Sequence, residues 1–406
     1  MPLRRMPRFR APRVCSPGSR PARRLARCLV RCLVRCLSAT SAVGPLVAAA
    51  QTAPSVPAMP DAQPQARDTT AARVAAESSA VRAPVEPRPS AARPAASHPP
   101  EAHPFARERL LRTPSLPLAR GTSAEVLHVQ VLLDGAGFSP GMLDGRWGEN
   151  MRFALGAFRE AAGLPAESGD VVDEATYRRL LAAAQERPAV TTYLVSAADV
   201  RGPYRPVPGS VEAKSKADCL CYETLLERLS ERFHVRQPVL RALNPGVNFA
   251  TLRAGDLLTV PNTWRLPPAR RVARVLVDKA EGAVRGFDAA GGLVFWLPAT
   301  VGSGEMPSPH GQLRVRAVER NPMYRWDPAV LRDVSRRHPV RYLPSGPNNL
   351  VGLVWVALSR PHVGIHGTPT PETIGYAASH GCVRLTNWDA LWFAASARPG
   401  LPVRFQ

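Results

Sequence analysis

Beyond Arg271 the chain breaks into short β-rich runs, Val272–Val277, Ala283–Phe287, Leu293–Leu297, Leu313–Val318, Leu353–Leu358 and Val403–Phe405. Glu281-Gly282 and Gly291-Gly292 separate the first three. Runs of this length between glycine turns form hairpins. So many of them predict a mainly β, sandwich-like domain over 271–406. Upstream the period changes. Val126, Val129, Leu132 and Leu133 recur at helical spacing, as do Phe153, Leu155 and Phe158,. A third run starts at Asp173-Glu174, which predicts a small three-helix bundle over 121–186,. In 220–263, two helical stretches are closed by Asn244-Pro245-Gly246 and followed by a strand at Leu257–Val260, an α/β module,. The expected chain is therefore multidomain.

The segment 51–120 is rich in Ala, Pro, Arg and Ser, and the chain holds 43 prolines. Such a stretch cannot bury enough apolar area to offset its ordering entropy, so a disordered linker is expected there. Residues 1–50 read as a leader for export, with a basic start and an apolar Leu37–Ala50,. The formal charge of +21 is a poor argument for nucleic acid. Eleven arginines lie between Arg4 and Arg35, which leaves +10 on the remainder without a dense basic run,. No nucleic-acid partner is expected, nor is a spanning helix, because no uninterrupted apolar stretch is long enough. An anionic polymer of the cell envelope suits the composition better.

Four of the seven cysteines fall in the leader, Cys219 and Cys221 can bond to each other or elsewhere, and Cys382 stands alone. Around it, Gly364–Asn387 reads GIHGTPTPETIGYAASHGCVRLTN. A free thiol is only a few per cent thiolate at neutral pH, so a cysteine nucleophile needs an adjacent base. His366 and His380 are the candidates. Gly381 allows close backbone approach, and N–H groups around Cys382 can stabilise an oxyanion. Zinc binding by His362 and His366 is disfavoured, because four extended residues span ~13 Å. No metal and no cofactor are expected. The lysines, Lys214, Lys216 and Lys279, provide no serine–lysine pair at the spacing of serine transpeptidases,.

SHGCVRLTN, its cysteine sixteen residues after the histidine of IHGT, resembles the L,D-transpeptidase catalytic (YkuD) domain family over about 272–406. Ser308-Pro309-His310-Gly311, Asn321-Pro322 and LPSGPNNLVG at 343–352 agree in order, with Ser308 in place of a usual threonine and Leu350 of a frequent proline. The resemblance implies Cys382 as nucleophile and His366 as base. It makes Ser379, His380 and Gly381 the oxyanion loop, and Gly367, Thr368, Arg384 and Asn387 candidate substrate contacts. Upstream, GFSPGMLDGRWG and the helix after it resemble the peptidoglycan-binding domain type 1 family. Tyr222–Asn262 is similar to a LysM domain, without its first strand.

These likenesses imply an exported enzyme of the periplasm or cell wall, held on peptidoglycan glycan by separable upstream modules. It would act on stem peptides, releasing D-alanine and passing the acyl group to an amine of a second stem, a wall-anchored protein or a D-amino acid. Water as acceptor would make it an L,D-carboxypeptidase. A catalytically silent wall-binding scaffold is the alternative of another class.

Overall fold

The computed structural model describes residues 105–165, 170–265, 267–268, 270–331 and 334–406. The leader, and the linker as far as residue 104, lie outside the described residues. The rest of the expected linker is already packed. Phe105, Leu110 on the short helix α1 (Arg107–Leu110) and Leu118 are buried, and Leu118 bridges to Val172. Three isolated apolar side chains among prolines gave no period to read.

The three expected helices are α2 (Ala124–Gly135), α3 (Glu149–Ala162) and α4 (Glu174–Ala183). Ser123 and Asp173 cap α2 and α4 by accepting from the N–H groups of Val126 and Thr176,. The Asp144-Gly145 turn is held by one side chain. Gln130 accepts from both its N–H groups and donates to Asp144 Oδ1 at 3.1 Å. Gly145 has φ +69°, and a Cβ there would sit 2.4 Å from the Phe105 ring, so only glycine fits,.

The next unit begins earlier than expected. Strand β1 (Val190–Leu194) precedes helices α5 (Ala197–Arg201), α6 (Val211–Ser215), α7 (Leu225–Arg232) and α8 (Gln237–Leu243). It pairs antiparallel with β2 (Leu257–Pro261), Val190 opposite Pro261. The expected α/β module of 220–263 is thus extended by a strand some thirty residues upstream (190–194), and the segment between them carries a Cys219–Cys221 disulfide.

The C-terminal domain contains one eight-stranded mixed sheet rather than a sandwich. Its strands are β3 (Arg274–Asp278), β4 (Ala283–Phe287), β5 (Leu293–Pro298), β6 (Gly311–Arg320), β9 (Val354–Leu358), β10 (Gly364–His366), β11 (Val383–Arg384) and β12 (Pro402–Phe405). They run in the order β11-β10-β9-β6-β12-β3-β4-β5. The hairpin of β7 (Tyr324–Trp326) and β8 (Arg341–Leu343) stands apart from it. Strand β6 joins the two halves: Gly311–Arg314 pair with β12, and Val315–Arg320 with β9 after a register shift. A bulge bends its strand, so one sheet can turn where short alternating runs suggested two.

Both sheet faces are covered, which is why Arg274–Asp278 is buried beyond its first residue,. On one side Val275, Val277, Phe295, Val356 and Phe405 pack under helix α9 (Asn387–Ser396) with Phe393. On the other, Leu276, Phe287, Leu293 and Trp296 share a core with Leu132, Leu155 and Phe158 of the helical unit. Leu127, Val131 and Leu143 of that unit also pack with Leu229, Val235 and Leu258. Arg265, almost fully buried, pairs with Asp389 of α9 and Asp134 of α2, and His234 reaches Asp134 at 2.9 Å. The upstream segments are therefore not separable modules on tethers, because their apolar faces complete one another's cores. The described residues, from 105 to 406, belong to one compact unit.

Candidate active site

Strands β10 and β11 pair in parallel, Ile365 opposite Val383 and His366 opposite Arg384. Ile365 and Val383 are fully buried in the core under α9. Alternation along a strand therefore puts His366 and Arg384 on the other face, and Cys382, one residue before β11, with them. Parallel register sets Cys382 beside Gly364, diagonal to His366. A Cβ at Gly364 would meet the Trp355 ring at 2.6 Å.

His366 is 4% exposed. Its ring stacks on Trp355, the residue opposite it on β9, with centroids 5.3 Å apart. Nδ1 lies 2.7 Å from the Gly367 carbonyl. A carbonyl only accepts, so Nδ1 carries the proton and Nε2 keeps a basic lone pair. Burial holds the imidazole down at about 4, and the positive charge of Arg384 acts in the same direction. The Cys382 thiol donates to the His362 carbonyl at 3.4 Å. Burial pushes its pKa up, against a backbone hydrogen bond from Gly364 and the charge of Arg384. Both groups are neutral at rest near pH 7.

The loop before Cys382 is organised by Ser379. This buried hydroxyl donates to the Cys382 carbonyl and accepts the Gly381 N–H at 3.2 Å. The Ser379 N–H donates to Val301 O at 2.8 Å. Gly381 has φ +108°, open to glycine and strained for other residues,. His380 is exposed.

Of the four candidate substrate contacts, three have other work. Gly367 is a glycine because a Cβ would sit 2.2 Å from Asn387 Oδ1. Thr368 is 2% exposed, and its hydroxyl accepts from the Thr370 N–H within the same turn. Asn387 is 1% exposed, accepting from Leu353 N–H at 3.0 Å and donating to Pro347 O at 3.2 Å. Buried groups with satisfied partners are poorly placed to bind a ligand. Arg384 differs: it is partly exposed, no carboxylate pairs with it among the described residues, and the ionisable groups beside it are Cys382, Tyr324 and His366.

Two neighbours went unread in the sequence. Tyr324, on the β7–β8 hairpin, has its phenol raised by burial and by the nearby Cys382. Trp355 packs the imidazole. The alternation in Val354–Leu358 marks Trp355 as facing away from the core, a signal that only the pairing with β10 connects to His366.

Residues 273–404 match the family model described as the L,D-transpeptidase catalytic domain, YkuD. The chain is 29% identical over 178 residues to a putative L,D-transpeptidase YkuD of Bacillus licheniformis, covering 44% of this chain and 91% of that protein. It is 30% identical over 169 residues to the probable L,D-transpeptidase ErfK/SrfK of Salmonella typhimurium, covering 40% and 53%. A probable L,D-transpeptidase YbiS of Escherichia coli is 26% identical over 185 residues, covering 44% and 59%. The chain thus spans little more than half the length of these last two relatives. A crystallised L,D-transpeptidase from Xylanimonas cellulosilytica shares 19% identity at a TM-score of 0.31, covering 73% of this chain and 99% of that one. The C-terminal domain is an L,D-transpeptidase catalytic domain of the YkuD family.

Proposed function

We propose that the protein is a peptidoglycan L,D-transpeptidase working through a Cys382 thioester. The observation that carries this reading is the arrangement of Cys382 and His366 on one face of two adjacent parallel strands, with His366 Nδ1 tied to the Gly367 carbonyl. Nε2 is then the base. In the first step Cys382 Sγ attacks the carbonyl that joins an L-centre to a terminal D-alanine, while Nε2 takes the thiol proton. The tetrahedral intermediate collapses to the thioester, and His366 gives its proton to the departing D-alanine amine. In the second step an amine of another stem peptide, of a wall-anchored protein or of a D-amino acid attacks the thioester. His366 takes that proton and returns it to the sulfur, so the enzyme is regenerated.

Arg384 is the group suited to a substrate carboxylate, since its guanidinium lies by the thiol without an acidic partner,. On this reading residues 121–186 and 220–263 contribute to peptidoglycan binding as parts of the enzyme's body rather than as movable anchors. A cell-wall substrate places the protein outside the cytoplasm. The deciding experiment is D-alanine release from a disaccharide-tetrapeptide, with the acyl-enzyme sought by intact mass. Cys382→Ala, shown folded by circular dichroism, should abolish both release and adduct. Release at the wild-type rate from folded Cys382→Ala would refute the proposal.

A further inference from the structure

Helix α7 lies outside the matched catalytic domain, yet one of its residues bonds into it. Glu231 is 6% exposed and takes the Asn387 side-chain N–H₂ on both carboxyl oxygens, at 3.2 and 3.1 Å, with the Tyr222 hydroxyl at 3.2 Å. Asn387 in turn holds Leu353 N–H and Pro347 O. Its Oδ1 lies against Gly367, close enough that a Cβ there would reach 2.2 Å. The carbonyl of that same Gly367 fixes the His366 ring. Three contacts thus lead from α7 to the imidazole, from Glu231 to Asn387, from Asn387 to Gly367 and from Gly367 to His366.

We infer that Glu231 is a positioning residue for the active centre, holding Asn387 so that the Gly367 peptide presents His366 in its working orientation. This rests on the transpeptidase reading above. It gives the upstream unit a part in the chemistry besides attachment. Burial raises the Glu231 carboxyl to about 8, so it is protonated at neutral pH. Glutamine can therefore replace it in part: its Oε1, in the place of Oε2, accepts from Asn387 and Tyr222, while its N–H₂ faces the Asn387 N–H₂ where Oε1 of the glutamate accepted,. Alanine cannot, and leaves the Asn387 N–H₂ with one partner fewer.

The test is D-alanine release from the disaccharide-tetrapeptide by the full chain, comparing wild type with Glu231→Ala, Glu231→Gln and Glu231→Asp. Small misplacements of a catalytic group cost up to ~100-fold, so Glu231→Ala should lower kcat ~10–100-fold while KM stays within about twofold. Glu231→Gln, which keeps one of the two acceptors, should lose clearly less kcat than Glu231→Ala at pH 7. Glu231→Asp, one methylene short, should show an intermediate loss if the alanine variant does not fold. In a double variant with Asn387→Ala the two losses should not multiply, since the residues act as one unit. Wild-type kcat in folded Glu231→Ala or Glu231→Asp would overturn the inference and leave the transpeptidase reading intact. An equal loss in the Gln and Ala variants would also overturn it, as would independent losses in the double variant. No release by wild type would remove the transpeptidase reading itself, and this inference with it.

Discussion

How readily Cys382 gives up its proton can be measured without any substrate. A preformed thiolate–imidazolium pair requires a thiol pKa below that of its histidine, and this environment has the opposite order. Burial lowers His366 to about 4 and raises Cys382 above the ordinary thiol value of 9.0. Both shifts act in the direction that disfavours proton transfer from the thiol to the imidazole at rest,. On the mechanism proposed above, the imidazole then acts during attack, as a general base, rather than storing a charged nucleophile beforehand. Cys382 is the one free cysteine among the described residues, since Cys219 and Cys221 are bonded. A chain without the first fifty residues, which hold the other four cysteines, can then be treated with iodoacetamide and followed by intact mass between pH 5 and 10. The alkylation rate should rise about tenfold per pH unit up to pH 9, because only the thiolate reacts. His366→Ala should leave that slope unchanged, while lowering D-alanine release by ~10²–10⁴-fold. A rate that levels off between pH 5 and 7 would show a stored ion pair and refute the reasoning.

Removing the Arg265 side chain strands two buried carboxylates, and breaking a buried pair costs ~3–5 kcal/mol,. Burial alone would raise Asp134, but Arg265 and His234 hold it at about 2, below its unfolded value of 3.8. Its contribution is therefore present above pH 4 and lost as pH falls through 2. Urea unfolding of Arg265→Ala should show the full deficit at pH 7 and a smaller one at pH 4.5, where the unpaired carboxyls can protonate; a deficit under about 1 kcal/mol at pH 7 would contradict this. A chain beginning at residue 271 should fail to fold as a soluble monomer. It would expose Leu276, Phe287, Leu293 and Trp296, at ~1.5–3 kcal/mol each, a sum comparable to the whole stability of a domain,. A cooperative melt of that fragment by circular dichroism would show the helical cover to be dispensable.

Local chemistry made much of this chain readable. Tight glycine turns, helical spacing and capping residues such as Ser123 and Asp173 act within a few positions, so elements α2, α3, α4 and most strands could be placed from residues alone. Cys382 and His366 could be proposed as a pair because a weak nucleophile needs a base and both stand in one short glycine-rich segment. What lay beyond reach depends on pairings between distant residues. Strand β1 has little meaning until β2 returns to it sixty residues later,. The single curled sheet depends on the bend in β6, and the buried linker end on where Phe105 meets Gly145. Trp355 gains its role only when β9 lies beside β10. Glu231 would pass as a solvated helix acid until Asn387 and Tyr222 close over it. Residue type and spacing determined which groups this protein can use for chemistry. Tertiary packing decided which of them are desolvated, and desolvation is what leaves His366 neutral, Cys382 protonated and Asn387 tied to the scaffold.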